Sequence, residues 1–336
     1  MPYSPRNFAN SYRKSLARYV KAGEESQLAE AYTLGRAACV NGSTILQLVE
    51  VHRTAVATLL PGDTANASAV DATFTFLAEA LSTFEMAQRG YWEAQESSRR
   101  ERAIALKLQN DLMPAAAPKV EGLDVAVRYL SGEAGSHAGG DWYDVFELPG
   151  QAAGLVVGDV TGHGVEAAAM MGQLRIAVLA YALGGQTPAS VVEEVDLLLH
   201  RLAGGDIATL VYVLVDLAEE RLVMTSAGHP PPVLVTPEGE AQLWTEGRGR
   251  LVGVSPPAKG RSQAVAAFPA GSQLLLYTDG LVEATERTGR DGFAQLLDVT
   301  QGFRGSAEEL CDRVLAEMAP EGGRDDICIL AATRLG

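Results

Sequence analysis

From residue 1 to about 113 the apolar positions recur at helical spacing. Phe8, Tyr12, Leu16 and Val20 step by four along one stripe, which predicts an amphipathic helix. Leu28, Tyr32 and Cys39 predict a second. Ser43 stands where it can cap a third, which carries Ile45, Val49, Val56 and Leu60 and stops at Pro61-Gly62, and Phe74, Leu77, Leu81 and Phe84 line a fourth. Four such stripes joined by short polar connections describe an all-α helical bundle over 1–84, a regulatory unit able to complete its core by dimerising. From Glu85 to Leu112 no proline or loop signal interrupts the pattern and Gly90 is its one weak point, so 85–118 reads as a connector helix and linker. Its ridge Ile104, Leu108 and Leu112 is apolar, whereas Glu96 to Arg102 is polar all round. Pro114 and Pro118 end it.

Beyond residue 119 the period changes. Leu123–Leu130, Tyr143–Leu148 and Leu155–Val160 are short β-rich runs separated by glycine-rich connections. Helical patterns follow at Val165–Leu183 and Ser190–Leu202, then strand-like runs from Thr209 to Val235 and near Val265 and Leu274, and finally two helices and a strand. Strands and helices in blocks, without regular βαβ alternation, argue for an α+β domain of mainly antiparallel sheets over 119–336 and against a dinucleotide-binding fold.

Composition narrows the function classes. The 336 residues are 47% hydrophobic and 21% charged, as in ordinary globular chains. The longest apolar stretch, Ala167–Leu183, is broken by Gln173 and Arg175, and the N-terminus lacks the apolar core of a signal peptide, so a cytoplasmic chain that crosses no membrane is expected. Three scattered cysteines, Cys39, Cys311 and Cys328, fit reduced thiols. The net charge of −15 is uneven: residues 1–113 hold 12 basic and 12 acidic side chains, residues 114–336 hold 15 and 30. Such a surface repels nucleic acid and suits divalent cations.

The chemistry lies at strand ends. Leu155-Val-Val-Gly-Asp159 and Gln273-Leu-Leu-Leu-Tyr-Thr-Asp279 each run an apolar strand into an aspartate; Arg324-Asp325-Asp326 and Gly139-Gly140-Asp141 each precede one. A single such aspartate is an ordinary turn former or helix cap. Four brought together would repel strongly unless cations neutralise them, and short rigid carboxylates are ligands for a hard divalent ion.

Gly139-Gly-Asp-Trp-Tyr-Asp144, Gly158-Asp-Val-Thr-Gly-His-Gly164, Ser226-Ala-Gly-His-Pro230, Tyr277-Thr-Asp-Gly280 and Arg324-Asp-Asp326 occur in an order that resembles the SpoIIE branch of the PPM, protein phosphatase 2C-like, serine/threonine phosphatases. The likeness covers roughly 120–334, and the helical half with its connector is similar to RsbU-type stress-response phosphatases. The resemblance implies a PPM-type α-β-β-α sandwich. It implies two Mn²⁺ or Mg²⁺ ions, with Asp159 bridging them, the Val160 carbonyl joining one, Asp279 and Asp325 completing the other, and Asp141 reaching the centre directly or through water. Asp326 is the adjacent, less favoured ligand. The ions activate water, so no protein nucleophile is needed.

The arginine that eukaryotic members set against the phosphate has no counterpart just upstream of Asp141; the nearest, Arg128, is mid-strand. Cys328 and Arg334 have the C-x5-R spacing of cysteine phosphatases, but the residues between them contain no glycine and read as a buried strand. His163 and His229 lie in glycine-flanked turns, where either can protonate a leaving oxygen or simply order its loop. His52, His137 and His200 carry no assignment. The expected function is a phosphoserine/phosphothreonine protein phosphatase acting on a STAS-domain anti-anti-sigma factor, with a kinase-like activator at the helical domain, a homodimeric state and regulation through the connector helix. The rivals are a non-catalytic phosphoprotein-binding module and a phosphatase of small phosphate esters.

Overall fold

Periodicity at 3.6 residues yields four helices: α1 (Pro5–Ala22), α2 (Glu25–Val40), α3 (Ile45–Leu59) and α4 (Ala67–Leu112). The computed structural model describes the chain apart from residues 1–4, 62–65, 115–117, 133–138, 203–206, 255–258, 287–290 and 321–324, so His137 and Arg324 lie outside the described residues. Two compact units result, Met1–Arg99 and Arg100–Gly336. The division falls inside α4, in its polar middle. The fourth stripe and the connector are one helix.

In the first unit Tyr12, Leu16, Leu48 and Phe76 form the centre of the core. Tyr12 stands edge-on to Phe76 with ring centroids 5.3 Å apart, and its hydroxyl pairs with His52 Nδ1 at 3.1 Å. His52 is therefore a core residue. Two faces differ from the sequence expectation. Phe74 is 64% exposed while Phe76, Ala80 and Phe84 point inward, and in α3 Leu48, His52 and Ala55 are buried while Ile45 and Val49 are exposed. Both helices carry apolar residues on adjacent faces; packing turns α3 so that His52 meets Tyr12 of α1 and turns α4 toward the small-residue side of α2. There Gly35 approaches α4 so closely that a Cβ would lie 2.0 Å from the Ala80 carbonyl oxygen. The cap of α3 is Thr44 rather than Ser43, in a reciprocal capping box with Gln47.

The second unit contains β1 (Leu123–Leu130), β2 (Trp142–Leu148), β3 (Ala152–Val160), α5 (Val165–Leu183), α6 (Pro188–Leu202), β4 (Ala208–Asp216), β5 (Arg221–Ala227), β6 (Val233–Val235), β7 (Ala241–Leu243), β8 (Arg248–Gly249), β9 (Ala264–Ala267), β10 (Gln273–Tyr277), α7 (Asp279–Glu286), α8 (Gly292–Thr300), α9 (Ala307–Met318) and β11 (Ile327–Arg334). One sheet has the order β1-β11-β10-β6-β7; the other runs β2-β3-β4-β5-β8, with β9 also on β5. The ladders are antiparallel except β5 with β8. Leu155, Val157, Val213, Leu274, Leu276 and Leu330 fill the space between the sheets. α5 and α6 cover the β2–β5 sheet through Met171, Leu174, Val191 and Leu199, and α7 to α9 cover the other through Leu281, Leu296, Leu310 and Val314. The expected α-β-β-α sandwich is present. α5 is long and apolar enough by composition to cross a membrane, yet its Ala168, Met171, Leu174 and Val178 are buried in this core. The short α7, beginning at Asp279, adds a third helix to the two expected near the C-terminus.

Candidate metal centre

The four aspartates are placed by strand ends. β3 delivers Asp159 opposite Thr209 of β4; β10 passes through buried Thr278 into Asp279, the first residue of α7. Asp141 immediately precedes β2, and Asp325 lies two residues before β11. Because β3 is hydrogen-bonded on both sides and β10 likewise, these carboxylates sit on backbone that cannot easily relax.

Each carboxylate acts on the others. Asp141 is buried, and its carboxyl is pushed well above the ordinary range, first by burial and then by Asp159, although the Thr278 hydroxyl donates to it. Asp159 is pushed up to about 7 by burial, then by the charges of Asp279 and Asp325, and hydrogen-bonds with Asp141. Asp279 is raised by burial and by Asp325. Asp141 Oδ2 is buried without a hydrogen-bond partner, an acceptor left open in a cluster of negative charge. Val160 closes the floor: its N–H donates to the Gly140 carbonyl at 3.1 Å, and a Cβ on Gly140 would lie 2.1 Å from the Val160 carbonyl oxygen. An all-oxygen donor set of this kind fits Mg²⁺ or Mn²⁺ and not a soft metal. Among the described residues no group of three or more His, Cys, Asp or Glu side chains is placed to hold a metal ion as it stands; the aspartates make an open cup whose members are linked through their charges.

Asp326 is differently employed. Its carboxylate accepts from the Tyr129 hydroxyl, from Gly132 N at 2.8 Å and from Gly139 N at 3.1 Å. Gln109, near the end of α4, donates to Tyr129 and to the Gly139 carbonyl. With its oxygens so occupied, Asp326 holds Gly132 and, two residues before Asp141, Gly139. His229 is 1% exposed, its Nδ1 lies 2.8 Å from Thr209 Oγ1, and burial pushes its pKa down to about 3. A neutral imidazole with that affinity for protons orders its loop and does not act as an acid near neutrality. His163 is exposed in the turn between β3 and α5. Cys328 is buried in β11 with its thiol raised by burial, unlike a reactive cysteine. Arg128 is turned to Glu308 and Asp312 of α9, at 2.9 and 2.8 Å.

Sequence reasoning missed Tyr129, Gln109, Thr278 and Thr209. Tyr129 faces Cys328 across the β1–β11 ladder, a relation that appears only once those strands are paired. The buried pair Arg175–Asp144, 2.9 Å, was also not anticipated; it ties α5 to β2 three residues beyond Asp141.

The profile of Stage II sporulation protein E (SpoIIE) matches residues 149–335. The chain belongs to the SpoIIE family. Residues 10–87 match the N-terminal domain of phosphoserine phosphatase RsbU. Phosphoserine phosphatase RsbU of Bacillus subtilis is 22% identical over 282 residues, 83% of this chain and 82% of RsbU; phosphoserine phosphatase RsbP of the same organism is 28% identical over 157 residues, 45% of this chain and 38% of RsbP. The crystal structure of the RsbU and RsbW domains of Rv1364c from Mycobacterium tuberculosis superposes with a TM-score of 0.59 at 32% identity, covering 67% of this chain and 63% of that one. The PP2C phosphatase domain of SpoIIE from Bacillus subtilis shares the fold, with a TM-score of 0.54 at 15% identity over 63% and 64% of the two chains. The SpoIIE family is thus represented here with its PP2C-like sandwich and an RsbU-type helical region.

Proposed function

We propose that this chain is a metal-dependent phosphoserine/phosphothreonine protein phosphatase whose substrate is a STAS-domain anti-anti-sigma factor in a partner-switching stress response. The observation that carries the reading is the open carboxylate cup, with the unpartnered oxygen of Asp141 at its buried end. All four acidic positions are filled, which disfavours a binding module that has lost its chemistry. Two divalent ions, Mn²⁺ or Mg²⁺, supply an activated water and offset the charge of the phosphate. Asp159, the Val160 carbonyl, Asp279 and Asp325 would hold the ions, with Asp141 reaching them directly or through water. Asp326, through Tyr129 and Gly139, keeps the Asp141 turn in place. Exposed His163 is the candidate to protonate the leaving serine oxygen, since His229 is neutral and buried.

Regulation enters through the helical unit, by an activator of kinase-like fold and a homodimer in the cytoplasm. The end of α4 packs through Leu112 against Gly172 of α5, and α5 begins shortly after Asp159, so a shift of this contact would be felt at the cup. The test is hydrolysis of p-nitrophenyl phosphate and of a phosphoserine STAS protein, with Mn²⁺ or EDTA, by the wild type and Asp159→Asn. Release that needs Mn²⁺ and is lost in the variant supports the reading. Binding of the phosphoprotein without turnover, in the presence of Mn²⁺ and the activator, overturns it in favour of a docking module.

A further inference from the structure

In the acidic half of the chain one segment breaks the pattern. Residues 247–263 contain Arg248, Arg250, Lys259 and Arg261 and no acidic residue, although residues 114–336 as a whole carry twice as many acidic as basic side chains. The fold brings this segment's Arg248–Arg250 stretch to the metal edge. Asp159 is paired with Thr209, Leu210 bridges Gly228, and Gly228 donates to the Gly249 carbonyl at 2.8 Å. The same end of the sheet therefore runs from β3 through β4 and β5 to β8. Three strand spacings of ~4.8 Å place the Arg248–Arg250 backbone about 14 Å from Asp159. Arg248, Arg250 and Lys259 are exposed, and the Arg248 charge reaches Tyr277, two residues before Asp279.

The described parts of the segment, at Arg250, Gly253 and Arg261, are held in place. Arg261 and Asp196 of α6 form an ion pair at 2.7 Å with side chains 2% and 0% exposed. The other nitrogen of Arg261 donates to the Arg250 carbonyl at 2.7 Å, Asp196 also accepts from Gly253 N at 2.9 Å, and Arg261 N donates to Glu193 at 2.7 Å. A buried, hydrogen-bonded clamp thus fixes the backbone from which the exposed cations project. The fourth basic residue of the segment has this structural duty. Arg248 and Arg250 are exposed at the end of the sheet that also carries Asp159, and Lys259 is exposed two residues before Arg261.

We propose that Arg248, Arg250 and Lys259 form a docking strip for carboxylates on the phosphoprotein substrate, displaced along its chain from the phosphorylated side chain. This rests on the phosphatase reading above. In extended conformation the ~14 Å offset corresponds to about four residues at ~3.4 Å each. The strip selects substrates whose phosphoserine is flanked at that distance by Asp or Glu, and it compensates the repulsion such a substrate meets from the rest of the acidic surface.

The experiment compares two phosphoserine peptides that differ only in carrying three Glu or three Gln beginning at the third residue on either side. Values of kcat/KM are measured for the full-length wild type and the Arg248→Gln/Lys259→Gln variant in Mn²⁺. Exposed pairs of this kind contribute little singly, so a preference of about fivefold for the Glu peptide is expected in the wild type, falling toward one in the variant and at high salt. A wild-type ratio near one, or an unchanged ratio in the variant, overturns the proposal. Turnover of p-nitrophenyl phosphate by the wild type reports separately on the phosphatase reading. If that substrate and both peptides stay intact, anisotropy of the labelled peptides decides the docking strip alone: tighter binding of the Glu peptide, weakened about fivefold in the variant, supports it, and equal dissociation constants overturn it.

Discussion

The carboxylate cup should make the cation-free chain less stable as pH rises, and Asp159→Asn should remove much of that loss. Asp159 is pushed up from 3.8 to about 7. Below pH ~4 the carboxyl is protonated in folded and unfolded chains alike, and the full stability is present. Between pH ~4 and ~7 the unfolded chain releases its proton while the folded chain retains it, so stability falls with pH; above ~7 both are ionised and the loss is complete. Three pK units correspond to about 4 kcal/mol, and the partial opening of the site to solvent trims this to about 2 kcal/mol. Urea unfolding in EDTA, followed by the fluorescence of buried Trp142 and Trp244, should therefore show the Asn variant more stable than wild type by about 2 kcal/mol at pH 8 and equal to it at pH 4. In a unit of this size the difference amounts to about 4–8 °C in Tm. Mn²⁺ at a hundred times its dissociation constant should raise wild type by about 2.7 kcal/mol and leave the variant almost unmoved. Parallel pH profiles for the two proteins in EDTA, from pH 4 to 8, would refute the reasoning.

Three further outcomes follow from particular contacts. Arg261→Met takes from buried Asp196 the guanidinium with which it forms an ion pair at 2.7 Å and should cost about 3–5 kcal/mol in the same urea assay. Gly140→Ala forces a Cβ to 2.1 Å from the Val160 carbonyl oxygen, so Mn²⁺ affinity by calorimetry should weaken at least about tenfold, a change of roughly 1.4 kcal/mol or more. Tyr129→Phe withdraws one donor from Asp326 and should lower stability by about 1–3 kcal/mol; kcat should fall more than KM rises, because the substrate itself does not touch this residue.

The aspartates of the cup were legible because each is joined directly or nearly so to an apolar run whose period is that of a strand, and a carboxylate at such a junction is conspicuous. The distinction between Asp325 and Asp326 was not. It depends on the Tyr129 hydroxyl and on Gly132 and Gly139 N–H groups, which approach Asp326 only after β1 has paired with β11. The inward faces of α3 and α4 were misassigned for a related reason: Ile45 and Phe74 are as apolar as Leu48 and Phe76, and the choice between adjacent faces is made in space, by Tyr12 of α1 against His52 of α3 and by Gly35 of α2 against Ala80 of α4. α7 was hidden because eight residues beginning with Asp-Gly read equally well as a turn. The parallel contact of β8 with β5 involves only Arg248 and Gly249 on one side, too short a run to show any period.

The placement of the cup on sheet ends holds the aspartates together against their mutual repulsion. Were they on loops, repulsion would drive them apart and the charges would be hydrated separately. Here Gly158, one residue before Asp159, lies beneath the Trp142 ring, which a Cβ would meet at 2.2 Å, and Trp142 itself follows Asp141 and is fully buried. Burial of that indole contributes on the order of 2–3 kcal/mol, comparable with the electrostatic loss estimated for Asp159. The interaction locks Asp141 and Asp159 on neighbouring strands, where the β2–β3 ladder pairs Trp142 with Gly158. Replacing Gly158 with alanine would separate the ring from the strand, letting the two carboxylates move apart. The same packing that resists their repulsion thus preserves a site in which a cation can recover that energy on binding.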